Sequence, residues 1–390
     1  MAKNKSNFCI RPFNSVVIST DGAITPCCQF ISKDFNIKNI NIENYWNSNY
    51  LKNLRQKFLN DEKPTECQNC WRKEIDNFES HRMESNSSYK AIFKNNYERN
   101  LKYIKKHNLS FPEDIEFSIT NICNLACQMC SGEYSSKLLI ENNLLNFENL
   151  KQDNYNFNKE IDRTIQEIMK HDLKLLNLRG GEPLVNKIII GLIKELTLNK
   201  KAENMTLHIT TNGTTCNKKI LDLLCKFKDV RIMFSIESVG KYNDYLRYPS
   251  NWEKIEKNII EFKKLTNGYL YINTVVQNLN ILYLEKLIDF AYANDIFLNF
   301  DILKSPHYLE YKNLPLNLLE QSYEKLKNIE KVKLTHTKNI DKTILLLKKT
   351  IDSYKYDDKK FFEFSDMIKK RDKHRKISIA DYMPEIYNII

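Results

Sequence analysis

The stretch that decides the fold is Thr120-Asn121-Ile122-Cys123-Asn124-Leu125-Ala126-Cys127-Gln128-Met129-Cys130, in which three cysteines are separated by three residues and then by two. Just ahead of it, Ile115-Glu116-Phe117-Ser118-Ile119 alternates in the period of a strand. The cysteines therefore sit on the loop leaving a strand. Structural zinc normally takes four ligands from paired Cys-x2-Cys or His clusters, and no fourth Cys or His lies close to these three. Three thiolates on a cubane of four irons leave one iron open. An open iron can chelate a small molecule, which a fully thiolate-ligated electron carrier cannot do.

Outward from this loop, residues 113–310 alternate short apolar strands with amphipathic helices. Strands are predicted at 115–120, 173–178, 206–211, 230–236, 270–276 and 296–303, with helices at 160–171, 187–198, 218–227, 252–265 and 282–293. Such alternation predicts an α/β fold, a partial (β/α)6 parallel barrel, with its chemistry at the C-terminal strand ends. Those ends carry Arg179-Gly180-Gly181-Glu182-Pro183, Thr210-Thr211-Asn212-Gly213 and Ser235-Ile236-Glu237-Ser238, and the fifth strand carries Asn273-Thr274-Val275-Val276. Paired glycines let a ligand approach the backbone closely. A plain turn at Gly180-Gly181, a helix cap at Asn212 and a cross-strand hydrogen bond at Asn273 are the structural alternatives.

The Cys-x3-Cys-x2-Cys triad followed by Gly-Gly-Glu-Pro resembles the signature of radical S-adenosylmethionine (SAM) enzymes. The resemblance implies that Cys123, Cys127 and Cys130 hold a 4Fe–4S cluster whose open iron binds the amine and carboxylate of SAM. Reduction by one electron then releases a 5′-deoxyadenosyl radical. It further implies that Gly180, Gly181 and Glu182 hold the SAM amino group. Thr211 and Asn212 would lie near the ribose and carboxylate, Ser235 and Glu237 would meet the ribose hydroxyls, and Asn273 would reach the cofactor. The family often has Asp where this chain has Glu237.

Residues 1–85 carry five of the ten cysteines. Val16-Val17-Ile18-Ser19-Thr20 reads as a strand, Asp21-Gly22 as a hairpin turn, and 23–28 as the returning strand bearing Cys27 and Cys28. Helical patterns at 42–46 and 51–59 precede Cys67-Gln68-Asn69-Cys70. Four thiolates from a hairpin and a Cys-x2-Cys loop can enclose either zinc or a 4Fe–4S cluster. The order Cys9, Gly22-x4-Cys27, then Cys67-x2-Cys70 resembles the SPASM/twitch auxiliary-cluster domain of radical SAM enzymes, here placed before the core. That resemblance implies a second 4Fe–4S cluster on Cys9, Cys27, Cys67 and Cys70, closed to substrate. Consecutive strand side chains face opposite ways, so only one of Cys27 and Cys28 is expected to face the cluster; the Gly-x4-Cys spacing of the resemblance selects Cys27 and leaves Cys28 as a buried neighbour or an alternative ligand. Cys216 and Cys225 read as buried free thiols.

Residues 86–112 read as a helical linker, and 311–390 as a helical extension in which no chemistry is legible. No run reaches the roughly 18 apolar residues of a membrane helix, and the first residues carry no apolar signal core, so a cytoplasmic protein is expected. The net charge of +11 reflects lysines spread throughout the chain. Its densest basic run is Lys369-Lys370-Arg371-Asp372-Lys373-His374-Arg375-Lys376. It lacks interleaved aromatics, so nucleic acid is not an expected partner. The expected function is radical chemistry on a peptide or protein side chain or a small polar metabolite, with the auxiliary cluster in electron transfer. A one-electron reductant such as flavodoxin or ferredoxin would serve it. The alternative is a non-catalytic metal-binding module, holding structural zinc or iron–sulfur, with a basic nucleic-acid-binding surface. An intact Gly180-Gly181-Glu182-Pro183 is superfluous to such a module.

Overall fold

The computed structural model describes residues 7–75, 79–92, 110–118, 120–151 and 155–390. Residues 93–109 of the expected linker, and Ile119 of the first expected core strand, lie outside the described residues. The chain forms two compact units. One comprises Met1–Asn121, Gln152–Gly180 and Gly191–Leu207; the other comprises Ile122–Lys151, Gly181–Ile190 and His208–Ile390.

In the first unit, β1 (Ser15–Ile18) pairs antiparallel with β2 (Ile24–Thr25) and parallel with β3 (Asp114–Phe117), which pairs parallel with β4 (Leu175–Leu178). Every residue of β1 and β3 is buried, as expected for strands covered on both faces. The Asp21-Gly22 turn forms as read. Gly22 sits at φ +78, and a Cβ there would lie 2.6 Å from the Phe157 ring. The returning strand is shorter than the expected 23–28, since only Ile24–Thr25 pairs with β1. Pro26 has no N–H to continue the ladder. The N-terminal hairpin is thus joined edge-on to the first core strand, with Val17 in register with Glu116. Arg11 and Asp114 form a buried ion pair at 2.7 Å, and Asn177 donates to the other Asp114 oxygen at 2.8 Å. The helix Asn49–Leu59 starts at Ser48, whose hydroxyl accepts from Leu51 N, and buries Leu51, Leu54 and Phe58 on one face.

In the second unit, β6 (Asp229–Ser235), β7 (Gly268–Val276), β8 (Phe297–Ile302) and β9 (Thr337–Lys338) are parallel neighbours in that order. The alternation that marks β6 as a strand is the alternation of its burial: Val230, Ile232 and Phe234 point inward. β5 (Thr206–Thr211) alternates in the same way. The connecting helices have sequence-encoded starts, with Asn217 capping Lys218–Leu224 and Asn251 capping Trp252–Phe262. The fold class is the expected α/β, with parallel strands linked by helices; five of the six core strands fall within two residues of their predicted bounds, and β3 ends at Phe117, three residues before its expected end. The sequence reading did not include the helices Ser136–Leu144 and Gly240–Leu246, nor β9. Among the described residues no helix is long and apolar enough to cross a membrane.

Candidate functional site

The cysteine triad occupies the start of the second unit. Cys127 is buried; Cys123 and Cys130 are half-buried. Burial, then the neighbouring Cys127, push the Cys123 thiol up to about 12. Cys130 is raised by burial and by both other thiols. The three sulfurs therefore form one electrostatic group of soft donors, with the donor chemistry an iron–sulfur cluster requires, and metal binding there displaces protons. Ser135 ties the loop to the following helix. Its hydroxyl donates to Leu125 O at 2.6 Å and accepts from Leu138 N at 3.0 Å as the N-cap of Ser136–Leu144.

Glu182 is 1% exposed, and its carboxylate is occupied within the protein. Oε1 accepts from Thr211 Oγ1 at 2.8 Å and Leu184 N at 3.1 Å, while Oε2 accepts from Asn212 N at 2.6 Å. Burial raises this carboxyl, although the three donors pull the other way. Glu182 N also donates to Ile122 O at 2.8 Å, so the Gly-Gly-Glu-Pro turn is fastened to the cysteine loop. Asn212 continues the network. Its Nδ2 donates to Asn124 Oδ1 at 3.0 Å and lies 4.0 Å from Cys123 Sγ. Gly180 belongs to the first unit; its φ is +108, and a Cβ would lie 2.6 Å from Thr120 O. Only glycine suits that combination.

Glu237 is fully buried as well. It pairs with Arg247 at 2.6 Å and accepts from Val275 N at 2.7 Å and Thr274 Oγ1 at 3.2 Å. The structure thus gives its carboxylate a set of internal partners that the ribose reading did not include. Arg247 bridges onward, with Nη1 lying 3.7 Å from Cys127 Sγ. Burial opposes the Arg247 charge, but Cys127 and Glu237 more than offset it, and its pKa is raised. Ser235 and Asn273 face each other in register at the end of β6 and in β7. Asn273 accepts from Asn299 Nδ2 at 2.6 Å, so its cross-strand hydrogen bond is present.

In the first unit, Cys9, Cys27, Cys67 and Cys70 line one recess together with Arg11, Gln29, Phe58, His81 and Arg82. Burial pushes the Cys9 thiol up to about 12 and raises the other three. Four soft donors around one recess fit a closed cluster, and Arg11 and Arg82 place two cations beside it. Cys28 does not line the recess. It is exposed, 3.8 Å from His81 Nε2. Cys216 is half-buried and Cys225 exposed, which corrects their reading as buried thiols: Cys216 precedes the N-cap Asn217 of the short helix Lys218–Leu224, and Cys225 is its C-cap. Among the described residues no three His, Cys, Asp or Glu side chains converge as a single metal ion would require.

Sequence reasoning missed Arg247, Arg371 and Arg375. The last two belong to the densest basic run, yet are 1% and 6% exposed. That run is therefore not a continuous solvated basic face.

Comparison with known proteins gives the class. The profile of the Radical SAM superfamily matches residues 117–291, and that of SPASM, an iron–sulfur cluster-binding domain, matches residues 9–71. Residues 117–291 thus match a radical SAM domain and residues 9–71 a SPASM domain, which precedes it in the chain. The cofactors of this chain are accordingly SAM, a 4Fe–4S cluster and an auxiliary iron–sulfur cluster. Among relatives, a GTP 3′,8-cyclase of Clostridium perfringens (strain SM101 / Type A) is 28% identical over 190 residues, covering 48% of this chain and 54% of that protein. The radical SAM cyclopropyl synthase TigE of Paramaledivibacter caminithermalis is 28% identical over 194 residues, covering 45% of this chain and 38% of that protein. The chain thus spans about half or less of these relatives' length. Streptococcus suis SuiB, solved with its precursor peptide SuiA, is 21% identical with a TM-score of 0.40, covering 60% of this chain and 52% of SuiB.

Proposed function

We propose that the protein is a radical SAM enzyme in which Cys123, Cys127 and Cys130 hold the SAM-binding cluster. When bound, that cluster would supply the electron for reductive cleavage of SAM, the source of the radical that would abstract hydrogen from substrate. The observation that carries the reading is the support given to the triad. Glu182 and Asn212 fasten the loop from one side, and the Arg247 guanidinium lies against Cys127 Sγ. A hydrogen bond and a cation beside a cluster sulfur favour its reduced, more negative state. Since the Glu182 and Glu237 side chains have internal partners, their part in the cofactor site is to hold the backbone of 180–182 and Arg247 in place. Gly180 and Gly181 would offer backbone to the SAM amino group, Thr211, Asn212 and Ser235 would meet its remaining polar groups, and Asn273, bonded to Asn299, would order the strand ends beside it.

The substrate class is a peptide or protein side chain or a small polar metabolite. The relatives' names, a GTP cyclase and a cyclopropyl synthase, support radical bond-forming chemistry without selecting between these. Cys9, Cys27, Cys67 and Cys70 hold a second 4Fe–4S cluster that gives or takes an electron in turnover, with flavodoxin or ferredoxin as cytoplasmic reductant. Functionally the chain divides into a cluster domain at 1–85, a linker at 86–112, a core at 113–310 and a helical extension at 311–390. The test is the Cys123→Ala/Cys127→Ala/Cys130→Ala protein, reconstituted anaerobically. It should fold, keep about four irons per chain and lose reductive cleavage of SAM. Persisting 5′-deoxyadenosine formation refutes the assignment.

A further inference from the structure

The helix Asp358–Arg375 lies outside both family matches, at residues 117–291 and 9–71. Its residues Arg371 and Arg375 are four apart and so share one face. Both are buried against the second cysteine's loop. Arg375 Nη2 donates to Ala126 O at 2.7 Å, and Arg371 Nη1 donates to Gln128 O at 2.8 Å. These are the carbonyls of the residues on either side of Cys127. The N–H groups of the same two residues are also held: Ala126 N donates to Tyr248 O at 2.6 Å and Gln128 N to Leu246 O at 2.8 Å. Cys127 therefore sits between two jaws, with every backbone polar group of its two neighbours engaged.

The jaws are themselves fixed. Arg375 forms a two-pronged pair with Glu141 at 2.7 and 2.9 Å. Arg371 also reaches Gln128 Oε1 at 2.9 Å and Asn142 Oδ1 at 3.0 Å. Between them on the helix, Asp372 accepts from Tyr245 Oη at 2.8 Å, which joins it to the segment leading into Leu246–Tyr248. Two charged side chains 1–2% exposed would be costly to bury for fold stability alone, because desolvation offsets most of their attraction. Their donors converge on the backbone around one sulfur.

We infer that the helix Asp358–Arg375 is a clamp on the cluster loop, with Arg371 and Arg375 as positioning residues that set Cys127 for the cluster. This rests on the triad being the cluster site. A ligand loop without such support loses the geometry that a metal centre needs.

Two full-length variants test the clamp. Arg375→Gln withdraws one donor while Glu141 keeps its ion pair with Arg371 Nε at 3.4 Å, so that no buried charge is left without a counter-charge; Arg371→Gln removes the other donor and leaves Glu141 paired with Arg375. In the iron-free chain, hydrogen exchange at the amides of Ala126 and Gln128 should rise in both variants, while the β6–β8 amides keep their protection. After anaerobic reconstitution, iron should be lost from the triad alone, leaving about four irons per chain with an electron paramagnetic resonance (EPR) signal that SAM no longer perturbs. Unchanged exchange and an unchanged SAM-sensitive signal, or equal iron loss from both sites, would overturn the clamp. Arg371→Lys, which keeps the charge and one donor, should restore part of the signal, whereas a merely space-filling role predicts no rescue. If exchange responds as described but the wild-type triad takes up no iron, the functional reading fails and the loop-holding contact stands.

Discussion

The two thiol sites are built in opposite ways. Cys9, Cys27, Cys67 and Cys70 are gathered from separate elements: ahead of the short helix Arg11–Asn14, after β2, in the turn Thr65–Cys67, and in the helix Gln68–Ile75. Folding collects the four donors around one recess. Cys123, Cys127 and Cys130 need no such gathering, because one loop carries them all. That loop instead requires support, which comes from Glu182, Asn212, Arg247, Arg371 and Arg375. A site with four ligands is closed and depends on each of them. A site with three is open, and its precision is supplied by residues that are not ligands.

The first consequence is the largest. Cys27→Ala should abolish the auxiliary cluster, lowering bound iron by about four per chain. The adjacent Cys28→Ala should leave the count unchanged, because Cys28 lies outside the recess. Iron analysis of the two proteins separates them. Loss with Cys28→Ala would break the distinction between gathered ligand and bystander.

Next in size is the pair behind the open site. Arg247→Met leaves Glu237 buried without its cation, and breaking such a pair costs about 3–5 kcal/mol. Denaturant unfolding of the iron-free chain measures that loss. Arg247→Lys keeps the charge but not the fork. In that variant the cluster potential should shift negative with little loss of iron; an unchanged potential would mean that the contact with Cys127 Sγ has no electronic effect.

Gly180→Ala should cost less, about 1–3 kcal/mol for a non-glycine held in a sparsely populated backbone region, with the clash against Thr120 O adding to it. Thermal unfolding reads it. Gly181→Ala is the functional counterpart, expected to weaken SAM binding while iron content stays near wild type. A loss of iron in Gly181→Ala would place this glycine with the cluster's supports and not with the cofactor's contacts.

How much of this was legible in the sequence follows from the same contrast. Strand periodicity, the Asp21-Gly22 turn and the cysteine spacings are local signals, and they located the core strands and both thiol groups. The supports were not legible because their partners are far away in the chain. Arg247 meets Cys127 across 120 residues, and Arg375 meets Ala126 across 249. A basic run such as Lys369–Lys376 looks solvated until its helix has a neighbour. Glu182 and Glu237 carry another lesson. The motif marks them for the cofactor, but a buried carboxylate must first satisfy its own oxygens, and both do so with backbone and side-chain donors. Cys225 shows the reverse case, a residue type that usually packs but here sits at an exposed helix end.

The contrast between an open and a closed site has one direct test. The Cys67→Ala/Cys70→Ala protein should retain only the triad cluster, and the Cys123→Ala/Cys127→Ala/Cys130→Ala protein only the auxiliary one. EPR spectra of both, reduced and titrated with SAM, compare the sites in the same chain. The account predicts that SAM changes the spectrum of the first protein and leaves that of the second untouched. A SAM-induced change in the triad-free protein, or none in the protein that keeps the triad, would contradict it.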